Sequence, residues 1–166
     1  MIKVIISLIS IGLLILDNSL LPLFQIKGIY PSLLFTFAVT YSFMKKKDYA
    51  VFIGVLSGFL QDIYFSNSFG INCLTNMLLC LIASAIGDTI VKNKKTIPVI
   101  GMFFITLTKF AVISIILYFI KMKISLSIIQ MVIISLENAV ITFIIYGYIA
   151  RKIDKNNAGN QWRFRW

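Results

Sequence analysis

The 166-residue sequence contains no histidine and two cysteines, and only 13% of its residues are charged. A soluble domain is roughly 25% charged and about 45–50% apolar. Here 59% of the residues are hydrophobic, and the mean hydropathy is +0.92. A water-soluble globule with this composition would expose large apolar patches. The composition therefore predicts an integral membrane protein.

The missing residue types also exclude several kinds of site. Without histidine a Ser–His–Asp triad cannot form, and Cys73 and Cys80 do not by themselves make a zinc site. The two cysteines lie in one predicted helix, too far apart for a disulfide. The sequence also lacks a phosphate-binding glycine loop. We therefore expect no catalytic residue, metal or cofactor, and we predict that the protein is not an enzyme.

The net charge of +10 is carried mainly by basic residues between the apolar runs, at positions 45–47, 92–95 and from Arg151 onward. This distribution is typical of cytoplasmic loops, and such loops attract anionic lipid headgroups. Alternating aromatic and basic residues at 162–166 suit contact with the membrane surface or with a protein groove. We expect contact with membrane lipids and no binding of nucleic acid.

Six apolar runs approach the length of about 20 residues that a membrane-crossing helix needs. They cover residues 4–24, 29–44, 49–65, 71–91, 97–120 and 125–150. The pattern predicts an all-α, polytopic membrane protein with a six-helix transmembrane domain at 1–150 and a basic, aromatic cytoplasmic tail at 151–166. Most of the 16 Lys and Arg residues fall inside if both termini are cytoplasmic, which predicts an N-in/C-in topology.

Five ionisable residues lie within the apolar runs, where such residues are rare and usually face the protein interior or a partner: Asp17, Asp62, Asp88, Lys109 and Glu137. In the third run, Gly54, Gly58 and Asp62 are four residues apart and share one helix face. The glycine pair allows close approach of another helix. Asp62 either caps the next helix or holds the turn before Gly70 through backbone N–H groups. Structural and partner-binding roles both remain open.

The fourth run carries a stripe of small and polar residues at every fourth position: Asn72, Asn76, Cys80, Ser84 and Asp88. Such a face meets protein or water rather than lipid. A hydrogen-bonded helix interface is the favoured interpretation, and a solute path is the alternative. Asp88 lies near the predicted cytoplasmic end, where Lys92 is a candidate partner.

Lys109 and Glu137 both fall near the middle of their runs, which a short turn joins. The two helices should therefore be antiparallel neighbours. Each charge alone would cost about 2.5–3.5 kcal/mol on insertion scales. We therefore predict a buried ion pair between Lys109 and Glu137 that fixes the register of the helices, with a proton relay as the alternative.

Three short segments resemble the bacterial rod shape-determining protein MreD family: residues 16–22, LDNSLLP; residues 29–34, IYPSLL; and residues 58–62, GFLQD, followed by Gly70 and Asn76. The resemblance covers almost the whole chain, and Gly58, Asp62 and Gly70 are its most specific positions. It implies a non-catalytic, multi-pass subunit of the cell-wall elongation complex in the bacterial cytoplasmic membrane. Such a subunit would bind the MreC transmembrane helix and help control RodA, its transpeptidase, MreB-guided cell shape and lateral peptidoglycan synthesis.

The MreD family is also similar in architecture to the S-components of energy-coupling-factor transporters. That similarity implies a second possible function, a small-molecule-binding membrane subunit. A third possible function is a small ion-coupled transporter that uses Lys109 and Glu137. The short outer turns favour the scaffold. We expect the partner to bind the Gly54/Gly58 face and the helix-four stripe, so that Gly58→Leu would abolish co-purification with MreC.

Overall fold

The computed structural model describes residues 2–25, 30–64, 70–89, 96–121 and 127–161, with side chains as far as Gly147. Within these residues the chain forms six α-helices and no strand, which confirms the all-α, six-helix prediction. The helices are α1 (Ile2–Ser19), α2 (Leu33–Ser42), α3 (Lys47–Tyr64), α4 (Ile71–Thr89), α5 (Thr96–Phe119) and α6 (Ile128–Gln161), and a short 3₁₀ helix (Leu21–Phe24) follows α1.

The first two helices are shorter than predicted because each meets a proline. Pro22 lies at the start of the 3₁₀ helix just after α1, and a proline cannot continue an α-helix. Pro31 precedes Ser32, which is extended and caps α2 by accepting a hydrogen bond from the Phe35 backbone N–H at 3.2 Å.

The last helix is longer than predicted. Helix α6 continues to Gln161, so most of the tail expected at 151–166 has a helical backbone. Three expectations lie outside the described residues: the role of residues 162–166, the turn at 66–69 and the pairing of Asp88 with Lys92.

Among the described residues, four helical segments are long and apolar enough to cross a bilayer: Ile2–Leu23, Ile71–Asp88, Ile97–Phe119 and Ile128–Gly147. Helix α2 has 10 residues, about 15 Å at the helical rise, whereas the hydrocarbon core is about 30 Å thick. It therefore falls short of a full span. The part of the chain that the structure describes is thus that of an all-helical membrane protein with four candidate spans.

Helix α2 is the centre of the molecule, because it contacts each of the other five helices. Seven of its 10 residues are buried. Phe35 and Val39 on α2 form the apolar core together with Ile53 on α3, Leu79 on α4 and Met102 on α5. A helix surrounded by protein in this way needs no lipid-facing length, which accounts for its shortness.

One end of the molecule is basic. The Lys3 ammonium at the start of α1 lies 5.3 Å from the centre of the Phe52 ring on α3. The Ser84 hydroxyl of α4 donates to the Lys45 carbonyl at 2.8 Å, in the connection between α2 and α3. These contacts bring the beginnings of α1 and α3 and the last turns of α4 together beside Lys45–Lys47.

Candidate functional site

Asp17 holds the start of α2 from the end of α1. It is 6% exposed. Its carboxylate accepts hydrogen bonds from the Ser32 hydroxyl at 2.9 Å and from the backbone N–H groups of Leu33 at 2.8 Å and Leu34 at 3.1 Å. The first N–H groups of a helix have no partner within it, and the positive end of the helix dipole favours an anion there. The negative charge is therefore matched to the helix that it caps.

Ser32 links Asp17 to two further helices. Its hydroxyl accepts a hydrogen bond from the Gln61 amide of α3 at 3.0 Å. Its backbone N–H donates to the Asn138 side-chain oxygen of α6 at 3.3 Å. The N-terminus of α2 is thus bonded to α1, α3 and α6.

Gln61 extends the same contacts to α4 and α5. Its side-chain oxygen accepts from the Asn76 amide at 3.0 Å and from the Lys109 ammonium at 3.0 Å. The Lys109 nitrogen also lies 4.0 Å from the centre of the Phe35 ring. A cation over an aromatic face in a desolvated site gains about 2 kcal/mol.

We call this set the polar network: Asp17, Ser32, Gln61, Asn76, Lys109 and Asn138. Each helix provides one member, since Ser32 is the cap of α2. Lys109 is also within electrostatic range of Asp17 and Asp62. Because unpaired polar groups are costly in a medium that offers no water, the network favours one arrangement of the helices.

Asp62 caps α4 as Asp17 caps α2. It is 1% exposed, and its carboxylate accepts from the backbone N–H groups of Gly70 at 3.0 Å, Asn72 at 3.1 Å and Cys73 at 2.8 Å, and from the Asn72 amide at 3.1 Å. Gly70 has φ of 97°, a conformation that favours glycine and directs its N–H to the carboxylate. Of the two structural roles left open for Asp62, these contacts show the helix cap, and its partner-binding role stays a prediction.

The Gly54/Gly58 face contacts α4 of the same chain. A Cβ on Gly54 would lie 2.7 Å from the Met77 Cα, and one on Gly58 would collide with the backbone of Asn72 and Cys73. The close approach predicted from the glycine pair is present, but the neighbouring helix is internal. The expectation that this face binds an external partner is wrong, because the next helix in the chain already fills it.

The helix-four stripe is interior as well. Asn76, Cys80 and Ser84 are fully buried, and the Asn76 amide bonds to the Ser57 hydroxyl of α3 at 3.3 Å besides Gln61. This matches the hydrogen-bonded interface that was the favoured interpretation, and it leaves these three positions unavailable to a second protein. Asp88, at the end of the stripe, is exposed.

The predicted Lys109–Glu137 ion pair is not formed. Lys109 turns toward Gln61 and Phe35, and the Glu137 Oε2 atom is buried without a hydrogen-bond partner. Equal depth in neighbouring helices does not fix their rotation. On α6 the inward direction is taken by Asn138, whose amide donates to the Thr106 hydroxyl of α5 at 3.5 Å.

Two network members were not singled out from the sequence as site residues: Ser32 and Gln61. Their signal was present, because Ser32 follows a proline before an apolar run and the Gln61 amide interrupts an apolar run. Gln130 accepts a hydrogen bond from the Ser127 N–H at 2.8 Å and so helps cap α6.

The fold and the polar network define a class of protein: a small helical membrane protein whose polar groups within the apolar helices mainly bond to each other. The family model of the rod shape-determining protein MreD matches residues 1–152, and the chain belongs to this family. It is therefore a rod shape-determining membrane protein. Comparison with curated proteins and with solved structures gave no significant match.

Proposed function

We propose that the chain is a non-catalytic subunit of the bacterial cell-wall elongation complex that binds the transmembrane helix of MreC. In this complex it helps control RodA and its partner transpeptidase along MreB filaments. The observation that carries the proposal is the family match over nearly the whole chain.

The bonding of the carboxylates supports a scaffold rather than an enzyme. Asp17 accepts three hydrogen bonds and Asp62 accepts four, all from the chain's own groups. A catalytic acid or base must reach a substrate proton. Carboxylates that cap helices inside the protein are suited to bracing it.

The charge distribution supports a place in the cytoplasmic membrane with both termini inside. Lys3 and Lys45–Lys47 lie at one end of the molecule. By the positive-inside rule that end faces the cytoplasm. The connection between α1 and α2 and the connection between α3 and α4 then face outward.

A deletion tests the cellular role. Removing the gene from a rod-shaped host should produce rounded cells, and re-expression should restore rods. The Asp62→Ala variant, which removes the cap of α4, should fail to restore rods. The Asp88→Asn variant, which changes an exposed acid within α4 itself, should restore them. Rods that persist without the gene would refute a shape-determining role in the host.

Co-purification tests the partner. MreC expressed with the tagged chain should be recovered from detergent extracts, and its isolated periplasmic part should not. A chain that restores rod shape yet recovers no MreC would retain the cellular role and refute the proposed partner.

A further inference from the structure

Glu137 is the intramembrane carboxylate that the polar contacts leave unmatched. Asp17 and Asp62 cap helices, and Asp88 lies exposed near the end of α4. Glu137 is the tenth residue of the 20-residue candidate span Ile128–Gly147. Its side chain is half-buried, and its Oε2 atom is shielded from solvent without a hydrogen-bond partner. An ionisable group at this depth normally has a counterpart.

Glu137 borders a broad face of α6 that is open on the outside of the molecule. Within the described residues α6 packs against α5 and α2 and has no contact with α1, α3 or α4. Asn138 and Thr142 point inward. The open face carries apolar side chains that are 54–67% exposed: Leu136, Val140, Phe143 and Ile144.

We propose that this face binds a transmembrane helix of another protein, and that this helix places a lysine or arginine side chain against Glu137. The sign of the unmatched charge selects a cation, and the apolar residues beside it suit a helix in lipid. Hydrocarbon admits helices because their backbone groups are bonded internally. The inference rests on the proposed scaffold function and specifies the surface that the scaffold uses.

A second copy of the chain does not meet the same requirement. Lys109 is the basic residue within the apolar spans of the described chain, and it is 6% exposed and bonded to Gln61. A second α6 would bring another carboxylate to Glu137 rather than a cation. The occupant is therefore a different protein.

Synthetic helices in liposomes test the recognition directly. The full-length protein, labelled with a donor fluorophore, is mixed with acceptor-labelled Leu/Ala peptides of about 20 residues that carry either Lys or Leu at the centre. Interhelical polar contacts in membranes contribute about 1–2 kcal/mol in model peptides. The Lys peptide should therefore reach half-maximal energy transfer at a roughly tenfold lower peptide-to-lipid ratio.

Two variants and a control assign the effect to the residue. Glu137→Leu should abolish the preference for the Lys peptide, and Glu137→Gln, which keeps the shape and removes the charge, should greatly reduce it. Asp88→Asn should leave it intact. Equal transfer for both peptides, or a preference that survives Glu137→Leu, would overturn the inference.

Cross-linking in the host separates this inference from the proposed function. A photoreactive residue at Val140 should give an adduct with another membrane protein, lost in Glu137→Leu, whose span carries a central Lys or Arg. Adducts of twice the chain's mass, or adducts unaffected by Glu137→Leu, would overturn the inference. If the Glu137→Leu variant fully restores rod shape, the proposed binding surface is wrong and the shape-determining role stands. If cells stay rod-shaped after deletion of the gene, the shape-determining role is refuted whatever the peptide experiment shows.

Discussion

At the scale of the residue, two aspartates have the same capping role in successive helix pairs. Asp17 lies two residues before the end of α1 and Asp62 two residues before the end of α3, and each caps the helix that follows. A carboxylate is well suited to this position because it satisfies several N–H groups at once and opposes the helix dipole. Carboxylates that look isolated in the sequence therefore have several hydrogen-bond partners in the fold.

Replacing Asp62 by alanine should lower the free energy of unfolding by at least about 2 kcal/mol, because hydrogen bonds to a charged group contribute about 1.5–3 kcal/mol each and are not additive. Asp62→Asn should lose less, since one acceptor oxygen remains. Thermal unfolding in detergent measures both. Asp88→Asn is the control and should be neutral; a large loss there, or none for Asp62→Ala, would contradict the capping role.

Gln61 and Lys109 should be energetically coupled, because they share a hydrogen bond of 3.0 Å inside the molecule. In a double-mutant cycle, Gln61→Leu and Lys109→Met should show an interaction free energy of about 0.5–3 kcal/mol. The control cycle combines Gln61→Leu with Thr108→Ala, since Thr108 is exposed and bonds to its own helix. Additive losses in the first cycle would show that the network contact does not contribute to stability.

At the scale of the element, α3 and α4 pack so closely that their backbones meet at glycine. The next helix in the chain takes up the small-residue face of α3, so the polar stripe of α4 becomes part of the interior. Helix α2 shows the complementary case, because a helix with protein on all sides is stable at half the length of a membrane span. The length and the residue pattern of each of these helices thus match the protein or lipid that it contacts.

Gly58→Ala should destabilise the protein by about 1–3 kcal/mol, the usual cost of overpacking, because the added Cβ meets backbone that cannot move away alone. Gly12→Ala in α1 is the matched control, since nothing lies within 4 Å of a Cβ there. Thermal unfolding of the two variants in one detergent decides the matter. If Gly58→Leu abolishes co-purification with MreC, the cause would then be the broken packing between α3 and α4. Equal stability of Gly58→Ala and Gly12→Ala would contradict this packing.

At the scale of the whole molecule, the basic end is the feature from which the proposed orientation in the membrane follows. The contacts of Lys3 with Phe52 and of Ser84 with the Lys45 carbonyl gather the connection between α2 and α3 with the start of α1. The proposed N-in/C-in arrangement predicts that Ser127, at the start of α6, lies at the opposite end. Orientation is therefore a property of the assembled helices and their loops together.

Single cysteines should reveal this direction. In a background with Cys73 and Cys80 replaced by alanine, a cysteine at Ser127 should react with an impermeant maleimide in intact cells, and one at Lys46 should react only after permeabilisation. Both positions are exposed. Labelling of Lys46→Cys from outside would reverse the proposed topology.

Composition and apolar length were enough to predict the membrane class and the six helices, and three short motifs supplied the resemblance to the MreD family. The local spacing placed Asp62 beside the next helix but left open whether it caps that helix or holds the turn before it. It also gave the closeness of approach at Gly54 and Gly58. The tertiary structure decided which helix fills that face, that Lys109 meets Gln61, and that Asn138 rather than Glu137 turns inward. The helical period fixes which residues share a face, whereas the rotation of each helix against its neighbours is set by packing and hydrogen bonding among all six.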